Sequence, residues 1–215
     1  MSALEPTIQI VDDDESFLAA ISRLLRASGF AVKTFSSASA LLATCDADVP
    51  GCVLADLQMP GMNGLDLQAA LARTRNPLPI LFLTGHGDIP SSVRAMREGA
   101  VDFLEKRAPK EDLLNAVKRA LARDARDRVE RAHLRELRTR FDTLTARELE
   151  ALSHVVRGRL NKQIAADLGI HERTVKLHRT AVTTKLSVQS VAELTQLSLE
   201  AGIFTPMPST FPKGL

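Results

Sequence analysis

The chain predicts an α/β protein: a doubly wound, five-stranded parallel sheet over residues 1–124, a helical linker over 125–141 and a small all-α domain over 142–203. Three observations predict it. Up to about residue 124, strand and helix patterns alternate five times. Four of the apolar runs end on a polar residue, which a parallel sheet gathers at its carboxyl edge. From Phe141 to Gly202 no strand pattern occurs, and a short helix, a glycine turn and a longer basic helix follow one another.

Ile8-Gln9-Ile10-Val11 reads as a buried strand that runs into Asp12-Asp13-Asp14. Phe17, Leu18, Ile21, Leu24 and Leu25 have helical spacing, and Ser28-Gly29 stops that helix. Ala31 to Phe35 is a short strand, and Ser36-Ser37 opens a helix through Leu41-Leu42. Cys52-Val53-Leu54-Ala55 is a strand that ends in Asp56. Pro60-Gly61-Met62-Asn63-Gly64 is loop chemistry, and Leu65, Leu67 and Leu71 mark the helix after it. Ile80 to Leu83 ends in Thr84-Gly85; Val93, Met96 and Ala100 pattern a helix closed by Gly99; Asp102 to Glu105 is the last strand and ends in Lys106.

Beyond Pro109, Leu113, Leu114, Val117 and Leu121 form a helical face, yet 12 of the 22 residues from Arg119 to Arg140 are charged. A thin seam continues through Ala125, Val129 and Ala132. The acid-before-base pairs Asp124/Arg128, Asp127/Arg131 and Glu136/Arg140 support a helix. A solvated linker helix is expected rather than a coiled coil, because only weak residues fill the seam. Thr145-Ala146-Arg147-Glu148 is a capping signal for a helix closed by Gly158. Asn161 to Leu168 is a short helix ended by Gly169, His171 to Leu186 a longer one, and Ser190 to Ala201 the last. Residues 204–215 carry Pro206, Pro208 and Pro212 and read as a flexible tail.

Hydrophobic content of 45% is enough for real cores, and 25% charged residues is ordinary for a soluble chain. No basic-then-apolar leader is visible, and no apolar run approaches the roughly 20 residues that span a bilayer. Cys45 and Cys52 lack metal or redox spacing. A reducing cytoplasm is the expected location. Residues 1–125 hold 13 Lys+Arg against 16 Asp+Glu, net −3, whereas 126–215 hold 15 against 10, net +5. Within the second part, 158–189 has six basic and two acidic residues, a weak sign of nucleic acid.

At the sheet edge, clustered carboxylates repel and favour a hard cation such as magnesium. A lysine and a threonine beside that cation suit phosphoryl oxygens. Asp56 is therefore the expected carrier of phosphate.

Val11-Asp12-Asp13-Asp14-Glu15, the stretch Asp56 to Gly64, and Thr84-Gly85-His86-Gly87-Asp88 resemble the receiver domains of two-component response regulators, a flavodoxin-like fold. The last stretch is especially similar to the FixJ group. Leu144 to Glu148, Asn161 to Ala165 and Thr174 to Arg179 resemble the LuxR-type helix-turn-helix. The two resemblances cover about residues 5–125 and 142–203.

The resemblance implies that Asp56 is the phospho-acceptor. Asp13 is the direct ligand of Mg2+ (or Mn2+), Asp12 a water-mediated one, and the main-chain carbonyl of Gln58 completes the set; Asp14 is the helix N-cap instead. Thr84 is the switch hydroxyl, Phe103 the aromatic that changes rotamer with it, and Lys106 the phosphate-binding cation. Gln58 and His86 tune phosphate lifetime. A proline normally follows the lysine in such receivers, often after a cis peptide bond. Here Arg107 follows, and a cis bond before arginine costs about 3–4 kcal/mol, so Lys106–Arg107 is expected in trans.

In the second domain, Thr174, Lys176, Leu177, His178, Arg179 and Thr180 of the recognition helix, with Lys162, are the expected DNA contacts. Lys176, Leu177 and Thr180 face the major groove, Arg179 and Lys162 the phosphates; His178 is open between packing and contact. The implied partners are a sensor histidine kinase, promoter DNA with an imperfect palindrome, a second copy of the chain on phosphorylation, and RNA polymerase. Two other readings compete. A phosphohydrolase built on an aspartyl-phosphate needs an acid two residues after the nucleophile, where Gln58 stands, so an enzyme is not expected. A phosphorylation-independent DNA binder with a docking receiver is kept open by Arg107.

Overall fold

A computed structural model describes residues 5–44, 46, 48–85 and 89–204. The chain forms two compact units, Met1–Val129 and Glu130–Leu215.

The first unit alternates β1 (Thr7–Val11), α1 (Glu15–Ala27), β2 (Ala31–Phe35), α2 (Ala38–Thr44), β3 (Gly51–Asp56), α3 (Gly64–Leu71), β4 (Ile80–Thr84), α4 (Ile89–Arg97) and β5 (Asp102–Glu105), and then enters α5 (Lys110–Phe141). All pairings are parallel, in the order β2-β1-β3-β4-β5. The three inner strands are buried along their whole length, which is why they read as continuous apolar runs. Successive residues point to opposite faces. Val53, Ala55 and Phe82 join Leu67 and Leu71 of α3 on one side. Ile8, Ile10, Leu54 and Leu81 join Leu18 and Leu25 of α1 and Val117 of α5 on the other. Each fully buried Val, Leu, Ile or Phe among them contributes about 1.5–3 kcal/mol.

Two sequence expectations change. The helix over Val93 and Met96 exists, but both side chains are exposed, and only Ala95 of α4 is buried. The contact with the sheet is made by the small residue between them. The seam on α5 also divides. Val117 is buried in the receiver core and Leu114 and Leu121 pack against it, whereas Ala125, Val129 and Ala132 face solvent. Apart from the buried Asp124, the charged stretch from residue 119 to Ala132 therefore continues the helix on a largely solvated surface, without a hydrophobic stripe long enough for a coiled coil.

The second unit contains the end of α5, α6 (Ala146–Val156), α7 (Asn161–Leu168), α8 (Glu172–Leu186) and α9 (Val191–Glu200). Leu137 and Phe141 pack with Leu152, Val155, Ile164, Val175, Val182 and Leu186 in one core. Thr145 and Glu148 form the expected capping box: Glu148 N–H donates to Thr145 Oγ1 at 3.3 Å, and Thr145 N–H to Glu148 Oε2 at 2.7 Å. Between α7 and α8 the chain turns through Gly169 at φ +64°, a left-handed conformation that glycine adopts without steric cost. The expected tail at 204–215 lies, beyond Phe204, outside the described residues.

Candidate functional site

The carboxyl ends of β1 and β3 bring Asp12, Asp13 and Asp56 together, with one carboxylate oxygen of each within 4.8 Å of the others. Asp12 and Asp56 are buried and Asp13 is exposed. Asp14 does not join them. It is the N-cap of α1, its Oδ1 accepting Ser16 N–H at 2.9 Å and Phe17 N–H at 3.1 Å. Asp12 Oδ1 accepts Asp14 N–H at 3.0 Å, which turns the acidic loop back over the strand end.

Lys106, one residue past β5, reaches across this pocket. Its Nζ lies 2.6 Å from Asp12 Oδ2 and 2.9 Å from Asp56 Oδ2. Asp12 Oδ2 is buried, and its charge is met by the Lys106 ion pair. Burial pushes the Asp12 carboxyl above its ordinary pKa, against the pull of Lys106 and of the Asp14 N–H. Burial draws the Lys106 ammonium down, but Asp12 and Asp56 beside it prevail, and its pKa is raised. Lys106 pairs with the two buried carboxylates, Asp12 and Asp56, and the exposed Asp13 brings a third negative charge to the same edge. That excess of negative charge on three clustered carboxylates fits a hard, oxygen-seeking dication.

Thr84 ends β4 one register position beyond the Leu83 partner of Asp56, is buried, and accepts Lys106 N–H on its carbonyl at 2.8 Å. Phe103 pairs with Phe82 across β4 and β5, the ring centroids 6.1 Å apart and tilted by 44°. It is half-buried. Gln58 is exposed beside Asp56, and its N–H approaches Asp56 Oδ1 at 3.4 Å. Gln58 also lines an open groove of about 460 Å³ with Met59, Pro60, Leu65 and Ser91. The loop between β3 and α3 owes its close approach to Gly64, where a Cβ would stand 2.4 Å from the Asp56 carbonyl oxygen. No cis peptide bond occurs among the described residues, so Lys106–Arg107 is trans. His86 lies outside the described residues.

Sequence reasoning missed one neighbour of the pocket. The ring of Phe17 lies beneath Lys106, its centroid 4.6 Å from Nζ. Its place in the first turn of a helix that follows an acidic loop is the available signal.

In the second unit, Lys176, Leu177 and Thr180 lie exposed along α8, and Arg173 and Thr184 extend the same stripe at helical spacing. Leu177 is 64% exposed, unusual for a large apolar side chain. Lys162 is exposed on α7. Thr174, His178 and Arg179 are half-buried, and the Arg179 guanidinium donates to Asn161 Oδ1 at 2.7 Å, tying α8 to the start of α7. Val175 and Ile164 are core residues. Lys185 Nζ lies 2.6 Å from Glu148 Oε2 and 3.1 Å from the Thr143 carbonyl. The Lys185 ammonium first, and the Thr145 N–H second, hold the Glu148 carboxyl below its ordinary pKa.

Residues 8–118 match the response regulator receiver domain, and residues 142–198 match the bacterial regulatory proteins of the luxR family. Response regulator protein TmoT of Ectopseudomonas mendocina is 42% identical over 198 residues, spanning 92% of this chain and 90% of the relative. Transcriptional regulatory protein FixJ of Rhizobium meliloti is 38% identical over 196 residues, spanning 91% and 96%. Among solved structures, the response regulator StyR superposes with a TM-score of 0.75 at 43% identity, covering 91% of this chain and 99% of that one. Full-length FixJ from B. japonicum does so with a TM-score of 0.56 at 34% identity, covering 94% and 100%. With the receiver sheet, the acidic edge and the helix-turn-helix all in the matched segments, the chain belongs to the FixJ-type response regulators, transcription regulators in which a receiver domain precedes a LuxR-type DNA-binding domain.

Proposed function

We propose that Asp56 accepts a phosphoryl group from a sensor histidine kinase, and that this switches dimerisation and promoter binding. The observation that carries the reading is the pocket itself: a buried aspartate at a strand end, two further carboxylates within 4.8 Å, and a lysine at 2.9 Å. An oxygen of Asp56 attacks phosphorus in line, the P–N bond of the phosphohistidine breaks, and its electron pair stays on the imidazole nitrogen, which takes up a proton. Lys106 neutralises the transferred oxygens, and Thr84 donates its hydroxyl to one of them. Asp12, Asp13, Asp56 and the Gln58 carbonyl are the residues to hold Mg2+ or Mn2+, which when bound supplies Lewis-acid neutralisation of phosphoryl charge.

Movement of Thr84 and Phe103 toward the phosphoryl group reshapes the face from Val93 to Lys106, where Val93 and Met96, with Ile89 at the start of the same helix, are already exposed and available to a second copy. A dimer then presents two α8 helices to the half-sites of an imperfect palindrome, with RNA polymerase as a further contact. No described helix is long and apolar enough to cross a membrane; with the kinase's cytoplasmic side and DNA as partners, the cytoplasm is the proposed location. Intact-mass spectrometry after acetyl phosphate and magnesium tests the acceptor: one phosphoryl group on the wild type and none on Asp56→Asn is expected. Arg107, standing where the family has proline, keeps one alternative open, a docking receiver that works without phosphate, against which the acidic set and Thr84 argue. Promoter output unchanged by Asp56→Asn would select it.

A further inference from the structure

The acidic pocket accounts for what pulls on the Lys106 ammonium but not for what lies under it. We propose that Phe17 is a positioning residue for Lys106, its ring face holding the ammonium at the pocket mouth while allowing it to pass from Asp56 to the arriving phosphoryl oxygens. The inference rests on Asp56 being the phosphoryl acceptor.

The two ion pairs, at 2.6 Å to Asp12 and 2.9 Å to Asp56, bind the resting ammonium, and at least the one to Asp56 must loosen as charge moves onto phosphorus. Hydrogen bonds are directional and are lost over a short displacement. Attraction to a ring face extends across the face and out to about 6 Å from its centroid. At 4.6 Å, Phe17 therefore keeps hold of the cation through the exchange. The backbone around Lys106 is fixed by Lys106 N–H to the Thr84 carbonyl at 2.8 Å and Ala108 N–H to the Glu105 carbonyl at 2.9 Å. These bonds do not restrain a flexible four-carbon side chain. Phe17 is itself well placed to do so: its N–H is held by the Asp14 cap at 3.1 Å, and it packs against the core between α1 and α5.

Phe17→Leu keeps an apolar side chain at this point and removes the π face, and Phe17→Tyr keeps the face. Two quantities are measured on the full chain: the rate of adduct formation from acetyl phosphate with magnesium, and the Lys106 ε-methylene proton shifts in 13C-lysine-labelled protein. A ring face so close moves those protons upfield. Phe17→Leu is expected to slow phosphorylation about three- to tenfold and to lose the upfield shift; Phe17→Tyr retains both. If Phe17→Leu loses its dispersed amide spectrum, Phe17→Met carries the same comparison. A leucine variant phosphorylated at the wild-type rate, or a wild-type Lys106 without a ring-current shift, overturns the proposal alone. A wild type that takes no phosphoryl group from any donor overturns the Asp56 reading, and this inference with it.

Discussion

Removing the carboxylate of Asp124 separates two descriptions of the same pair. Read from sequence, Asp124 and Arg128 are an exposed i,i+4 pair on a linker helix, worth about 0.3–0.5 kcal/mol. In the fold, Asp124 is 1% exposed, and its Oδ2 accepts Gly51 N–H at 2.8 Å and Arg128 Nε–H at 2.7 Å. Arg128 also donates to the Asp48 and Val49 carbonyls at 3.2 and 2.8 Å. The pair thus clamps α5 to the segment entering β3. Asp124→Ala leaves a buried Gly51 N–H without its acceptor, a cost of about 1–3 kcal/mol. Breaking a buried ion pair costs about 3–5 kcal/mol, here reduced because Arg128 is 18% exposed at its side chain and keeps two carbonyls. With the ion-pair part reduced to about 1 kcal/mol and the orphaned N–H costing about 1–3 kcal/mol, the loss expected for the receiver is about 2–4 kcal/mol. Asp124→Asn retains an acceptor for Gly51 and should lose about half as much. With no Trp or Tyr for fluorescence, and two compact units that need not unfold together, the suitable assay is native-state hydrogen exchange of β3 amides in low urea, read by peptide mass spectrometry. A loss below about 1 kcal/mol for Asp124→Ala, or equal losses for Ala and Asn, would refute the clamp.

Two further outcomes are expected. The Glu148 carboxyl titrates below its ordinary value of about 4.3 because Lys185 and Thr145 favour its charged form; a depressed folded pKa contributes stability that is present above the unfolded value and lost as pH falls through the folded one. The second unit should therefore weaken below about pH 4.3, and Glu148→Gln should be less stable at neutral pH yet flatter in acid; identical acid profiles by circular dichroism would contradict this. In DNA-binding titrations, Lys162→Ala should weaken all sequences alike and reduce the salt slope by about 1, whereas Lys176→Ala should relax preference at one base pair. Uniform weakening by both variants would move Lys176 from base reading to phosphate contact.

The legible parts of this protein are those written in local pattern. Buried central strands need unbroken apolar runs, so β1, β3 and β4 were readable to within a residue or two, and so were the polar residues at their ends. Asp14 was readable as a cap because an aspartate before a helical period has a local partner in its own backbone. Val93 and Met96 misled because α4 meets the sheet through Ala95, and spacing alone does not tell which face of a short helix turns inward.

By itself the sequence determined the order of elements, the parallel edge that gathers Asp12, Asp56 and Lys106, and the helix-turn-helix that follows. These depend on periodicity, capping and strand-end chemistry, all of which act within a few residues. Only the tertiary structure decided that Phe17 lies under Lys106, that Arg179 is held by Asn161, and that Asp124 and Arg128 grip the entrance to β3. Each of these joins groups from separate elements, and burial changes the value of a charge by far more than its neighbours in sequence can signal.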